Sequence, residues 1–143
     1  HNYNWQQCYD ATVHGWSSST FHSRRNNKGA TVTVVKAVNG RIFGGYFDQA
    51  CASVNNYVRT GKSQLWRLNG NKIENAYLSS MSGSNSHGNA VYDHASYCPT
   101  FGATTDLRMS GSCNVATTGS SYYTTSGFGS TWLTGNTSIS LSN

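Results

Sequence analysis

The chain has 143 residues, the size of one domain, and 36% of them are apolar, enough to bury a core and too many for a disordered segment. Charged residues make up only 10%, against about 25% in a typical soluble domain, so solubility rests on Ser, Thr, Asn and Gly. The net charge of +5 comes from 10 Lys and Arg against 5 Asp and Glu, scattered without a basic stripe interleaved with aromatics, which argues against a nucleic-acid partner.

In chain order, residues 5–14 read as a first strand. Ser17, Ser18, Ser19 and Thr20 are N-cap candidates for a short helix over 21–27, ended by Asn27-Lys28-Gly29. The basic group Arg24, Arg25 and Lys28 falls there and reads as a solvated helix end or loop. Residues 30–38 are rich in β-branched side chains, and Asn39-Gly40 is a strong hairpin signal. Residues 41–47 return as the partner strand, with Gly44-Gly45 marking a bulge or a close backbone approach. Residues 50–58 read as a short helix or loop, 64–68 as a strand ending at Asn69-Gly70, and 76–78 as a further strand. Residues 79–89 form a polar low-complexity loop. Apolar character resumes over 90–97, 107–109 reads as a strand, and 111–119 as a loop. Late strands are expected at 121–125 and 131–133, with Ile139 and Leu141 alternating near the end. No apolar run approaches the roughly 20 residues of a membrane-spanning helix, and no repeat of the solenoid kind is visible. The whole of residues 1–143 is expected to be one β-rich domain.

Cysteines stand at 8, 51, 98 and 113, with neither a CxxC nor a Cys/His finger spacing, which argues against a zinc site; two disulfides are favoured over four buried thiols. Three connectivities exist. Cys8–Cys51 with Cys98–Cys113 is the expected one, because it staples the two halves separately. Disulfides, a start at His1 and the sequon Asn136-Thr137-Ser138 point to processing and to a secreted, extracellular protein.

The order of short motifs resembles the TLDc domain. Gly15-Trp16-Ser17, then Phe21-His22, then the run from Asn27-Lys28-Gly29-Ala30-Thr31 to Lys36 is similar to the family's first half. Gly40-Arg41-Ile42-Phe43-Gly44-Gly45-Tyr46 looks like its G-x-x-FGGY. Ser96-Tyr97-Cys98-Pro99-Thr100-Phe101-Gly102 followed by Asp106-Leu107 is similar to its SYGPTFG…HDL, and Leu133-Thr134-Gly135 to its closing LTG. The resemblance implies a β-sandwich of two antiparallel sheets with one or two short helices. It also implies a protein–protein interaction module tied to oxidative-stress protection and proton-pump regulation, mostly inside cells and with no agreed catalytic residues. Here Cys98 replaces a Gly, Thr105 replaces the His before Asp106, and residues 140–143 lack the family's acidic-aromatic ending. Those departures suggest a secreted offshoot.

Catalysis has few residues to work with. The acids are Asp10, Asp48, Glu74, Asp93 and Asp106, the histidines are 1, 14, 22, 87 and 94, and neither GxSxG nor HExxH occurs. Adjacent Asp93 and His94 would point to opposite faces of a strand, poor geometry for a proton relay. A non-enzyme is therefore expected. The surplus of aromatics suits binding of a neutral sugar, which needs a ring face for its C–H groups and polar side chains for its hydroxyls. Trp66, Trp132, Tyr92, Tyr97, Tyr122 and Tyr123 are candidate platforms. The favoured sugar set is Trp66, Asn75, His87, Asn89, Tyr92 and His94. A Ca²⁺ ion held by Glu74 and Asp93 would coordinate vicinal hydroxyls. A looser resemblance, to the calcium-dependent galactose-binding lectins of sea anemones, carries no motif. The expectation is a dimeric extracellular lectin for terminal galactose; a cationic defence protein that binds anionic surfaces is a further reading.

Overall fold

The computed structural model of the chain describes residues 4–58, 60, 62–77, 91–102, 107–117 and 138–141. Where a first strand is expected, Asp10 caps a single helical turn instead. Its side chain accepts from the Thr12 amide and its carbonyl from His14, giving α1 (Ala11–His14), stopped by Gly15 at φ 97°. The next helix, α2 (Ser18–Arg25), begins three residues earlier than expected, because Ser17 caps it by accepting from Thr20 N. Asn27 at φ 62° turns the chain out of it.

Among the described residues ten strands follow, all paired antiparallel in two sheets. The first contains β1 (Thr31–Lys36), β2 (Ile42–Phe47), β4 (Gln64–Asn69) and β5 (Lys72–Tyr77), in the order β1-β2-β4-β5. The second contains β3 (Asn56–Val58), β6 (Val91–Asp93), β7 (Thr100–Phe101), β8 (Leu107–Met109), β9 (Val115–Thr117) and β10 (Ser138–Ser140), in the order β10-β9-β8-β7-β6-β3. A bridge between Ala37 and Leu141 joins the end of β1 to the end of β10.

The β1–β2 hairpin forms as expected. Its turn carries three residues between Ala37 and Arg41, with Gly40 alone left-handed at φ 87°. Gly44 and Gly45 make no bulge; the register runs unbroken from Thr31↔Phe47 to Lys36↔Ile42. They serve close approach instead. A Cβ on Gly45 would enter the ring of Phe101 in the opposite sheet, and one on Gly44 would strike the Thr33 carbonyl beside the Trp66 indole. The core lies between the sheets, where Phe43, Phe47 and Leu65 of the first meet Phe101 and Leu107 of the second, each under 2% exposed. Burying a side chain of that size stabilises the fold by roughly 1.5–3 kcal/mol.

Three further expectations change. Residues 50–55 are loop, and 56–58 are β3. The strand expected at 76–78 begins at Lys72, and the loop expected over 111–119 contains β9. The two-residue β7 carries no periodicity a sequence could reveal. The strands expected at 121–125 and 131–133, the loop at 79–89 and Asn136 and Thr137 of the sequon lie outside the described residues. Cys98 and Cys113 form a disulfide with Cα atoms 5.5 Å apart, tying the segment before β7 to the β8–β9 turn. Cys8 and Cys51 stand as thiols, with the Arg25 guanidinium against the Cys51 sulfur.

Candidate functional site

Alternation along β6 decides what the outer face of the second sheet presents. Val91 and Asp93 are buried, at 3% and 2% exposure, so Tyr92 between them points outward. Tyr57 of β3 is its register partner, and the two rings pack at 4.7 Å between centroids. The turn after β6 adds His94, stacked on Tyr92 at 5.4 Å with 23° between planes, and Tyr97, 5.1 Å from His94. Arg108 comes from β8 on the same face, flanked by buried Leu107 and Met109, and lays its guanidinium 5.0 Å from the Tyr97 ring. All five side chains are half-buried. The result is an aromatic platform with one cation at its side.

The loop 51–55 and α2 hold the platform from behind. The loop 51–55 has two residues in the left-handed region, Ser53 at φ 54° and Asn55 at φ 56°. Asn55 Oδ1 accepts from Ala95 N at 3.0 Å, and Ala52 N donates to Asp93 Oδ2 at 2.9 Å. His22 of α2 is 7% exposed and joins all three parts. Its Nε2–H donates to the Tyr97 carbonyl at 2.7 Å, which can only accept, and its Nδ1 lies 2.9 Å from Ser53 Oγ and 3.2 Å from Asn26 Oδ1. Asn26 Nδ2 completes the set by donating to Ser53 Oγ at 2.7 Å. The platform is thus anchored to α2 through one buried imidazole.

Behind this network sits Arg25, 4% exposed and so not the solvated residue the sequence suggested. Its Nη2 donates to Thr31 Oγ1 at 2.7 Å, and its guanidinium carbon lies 5.2 Å from the Phe21 ring and 5.5 Å from the Phe47 ring. Burial pushes its pKa down to about 10, opposed by the charge of Asp93, so it stays cationic at neutral pH.

Of the expected sugar residues, the structure brings Tyr92 and His94 together. Trp66 does not join them: it projects from the outer face of the other sheet, over Gly44, with buried Leu65 beside it pointing to the core. Asn75 lies on β5 of that same sheet, directly across from Trp66. His87, Asn89, Trp132, Tyr122 and Tyr123 lie outside the described residues. Tyr97, a candidate ring, belongs to the platform. Tyr57 and Arg108 were missed, since only the β3–β6 and β7–β8 registers put them there.

The expected Ca²⁺ pair is not brought together. Glu74 sits on β5, where Arg67 Nε at 2.5 Å and Asn69 Nδ2 at 3.1 Å hold it. Those donors, Asn69 foremost, draw its pKa below the usual carboxylate range. Asp93 points into the core from the other sheet, with Oδ1 lacking a hydrogen-bond partner. Among the described residues no group of three or more His, Cys, Asp or Glu could hold a metal ion.

No curated protein matches the chain, so the likeness to a sea-anemone lectin gains no support from that quarter. The family reading fares otherwise. The model of the TLDc domain matches residues 1–143, over the two-sheet sandwich that the resemblance implied, and the chain belongs to the TLDc domain family.

Proposed function

We propose that this TLDc domain is an extracellular carbohydrate-binding module, and that Tyr57, Tyr92, His94, Tyr97 and Arg108 form its sugar-binding surface. The observation that carries the reading is the Tyr92–His94 stack with Tyr57 and Tyr97 around it, on a sheet face that leaves the rings half-exposed. Rings so placed offer π-faces to the C–H groups of a pyranose, while His94, the tyrosine hydroxyls and Arg108 meet its hydroxyls. Galactose suits such a face, because its axial O4 leaves the hydrogens of C3, C4 and C5 together on one side. Two copies in a dimer would add avidity without new contacts. The Cys98–Cys113 disulfide accords with an oxidising compartment. The domain acts by binding, without catalysis.

A glycan array with and without Ca²⁺ tests this. Binding to galactose-terminated glycans, lost in Tyr92→Ala and competed by free galactose, is the expected result; silence across the array in both conditions sinks the reading. The Ca²⁺ arm decides separately whether a metal assists. The second reading, a protein–protein interaction module, is favoured by family membership. It predicts that Tyr92→Ala abolishes capture of a protein partner while the array stays blank.

A further inference from the structure

The N-terminal segment borders a cleft of about 370 Å³, which runs along β1 and is also lined by Pro99, Met109 and Cys113. Cys8 and Arg25 both line it. Arg25 reaches from the cleft into the core, where Nη1 meets the sulfur of Cys51, a residue only 1% exposed. Cys8 lines the same cleft as Arg25, and a thiolate there would favour the charge of its guanidinium. Two thiols therefore share one buried cation, and they belong to different parts of the chain. Cys8 sits in the segment 4–10, which is neither helix nor strand, and Cys51 opens the loop that holds the platform.

We infer that Cys8 and Cys51 are a redox-active pair that closes a second disulfide across Arg25, stapling the N-terminal segment over the cleft to the loop 51–55. The roles of the two sulfurs differ because their exposure differs. Cys8 is half-buried at the cleft and meets an oxidant first, whereas Cys51 is enclosed and acts second. With a small disulfide such as oxidised glutathione, the Cys8 thiolate attacks one sulfur, forming a mixed disulfide and releasing one glutathione thiolate. The Cys51 thiolate then attacks the Cys8 sulfur, releasing the second glutathione. Both cysteine protons pass to the leaving thiolates or to solvent. The protein has lost two electrons, and the disulfide donor has gained them.

Arg25 serves the second step, since its guanidinium is placed to hold the negative charge that Cys51 must carry in order to attack. An orphan nearby gives the guanidinium somewhere to go once that sulfur is bonded. Asp93 Oδ1 is buried without a partner, and the Asp93 charge already acts on Arg25. The bond needs the two Cα atoms within about 7 Å. The movement falls to the segment 4–10, whose residues 4–7 are exposed and which no sheet holds.

The test uses the folded protein, with and without oxidised glutathione, followed by non-reducing digestion and peptide mass mapping. The expected product is a peptide joining Cys8 to Cys51, lighter by two hydrogens, with Cys98–Cys113 intact and Tm raised by roughly 10 °C. A bond already present on isolation gives the same peptide and supports the pair equally. A Cys51→Ser variant should instead stop with glutathione held on Cys8, and a Cys8→Ser variant should resist oxidation. Arg25→Lys should slow the second step and accumulate the mixed disulfide. A lasting mixed disulfide on Cys8 in the unaltered chain overturns the inference. So does a peptide linking Cys8 to Cys113, the other cysteine at the cleft, or two thiols that remain unreacted. None of these outcomes depends on what the aromatic platform binds.

Discussion

Two side chains show how much one position can decide. Gly45 is there because Phe101 needs its space, not because its backbone needs freedom. Gly45→Ala should therefore cost about 1–3 kcal/mol through overpacking, read as a lower urea midpoint at unchanged slope. His22 is the converse, a polar group whose value lies in its partners. His22→Ala strands the Tyr97 carbonyl and the Ser53 hydroxyl and should cost about 1–3 kcal/mol. It should also weaken ligand binding to the platform more than an equally destabilising Gly45→Ala does, which separates anchoring from mere stability. Part of this was legible in the chain. The pair Gly44-Gly45 signalled a close approach, and Tyr92, His94 and Tyr97 were singled out as candidates for sugar contact. Arg25 was not legible: only the packing of α2 against β2 puts Phe21 and Phe47 around its guanidinium, and no local pattern records that.

Secondary elements were readable in proportion to how local their pairing is. The β1–β2 hairpin carries its turn chemistry and its β-branched run within a few residues, and it forms where expected. The strands β7 and β9 have two and three residues and owe their existence to neighbours in the sheet, so the sequence around them reads as loop. The disulfide compensates for that brevity. Cys98–Cys113 closes a loop of sequence separation 15 around β7 and β8, and a loop of that size confines the unfolded chain by about 3 kcal/mol. Replacing both cysteines by Ala should lower stability by about that amount in chemical denaturation, with the two-sheet fold retained by circular dichroism. The β4–β5 hairpin carries a pH signature. Hydrogen bonds from Asn69 and Arg67 hold the Glu74 carboxyl below its ordinary value. Its stabilising contribution is therefore complete above the ordinary carboxylate range and is lost as pH falls through the depressed folded-state value. Glu74→Gln should lower Tm slightly near neutral pH and leave it unchanged in acid, so the acid limb flattens; the change is small because the pair is solvent-screened.

At the scale of the molecule, the two sheets present unlike outer faces. The first exposes Val32 and Val34 of β1 and half-buries Trp66, while the second carries the tyrosines, His94 and Arg108. Which aromatic falls on which sheet depends on strand order. That is why Trp66 and Tyr92, both read as sugar platforms, end on different sheets, and why Glu74 and Asp93 never form the expected metal pair. Charge is also a property of the whole chain, and it separates two ligand classes. With +5 overall and Arg108 beside the rings, an anionic surface is the alternative to the neutral sugar proposed above. The proposal of a sugar ligand rests on the rings, since stacking on C–H groups involves no charge and a single half-buried cation at the surface contributes little in salt. The dissociation constant for a neutral galactoside should then change less than about threefold between roughly 0.05 and 0.5 M NaCl, a span over which the screening length falls from about 14 to about 4 Å. Binding carried by scattered positive charge would weaken steeply over that range and would survive Tyr92→Ala. A steep salt dependence that outlasts the loss of Tyr92 would therefore move the ligand from sugar to anionic surface, and leave the aromatic platform to a protein partner.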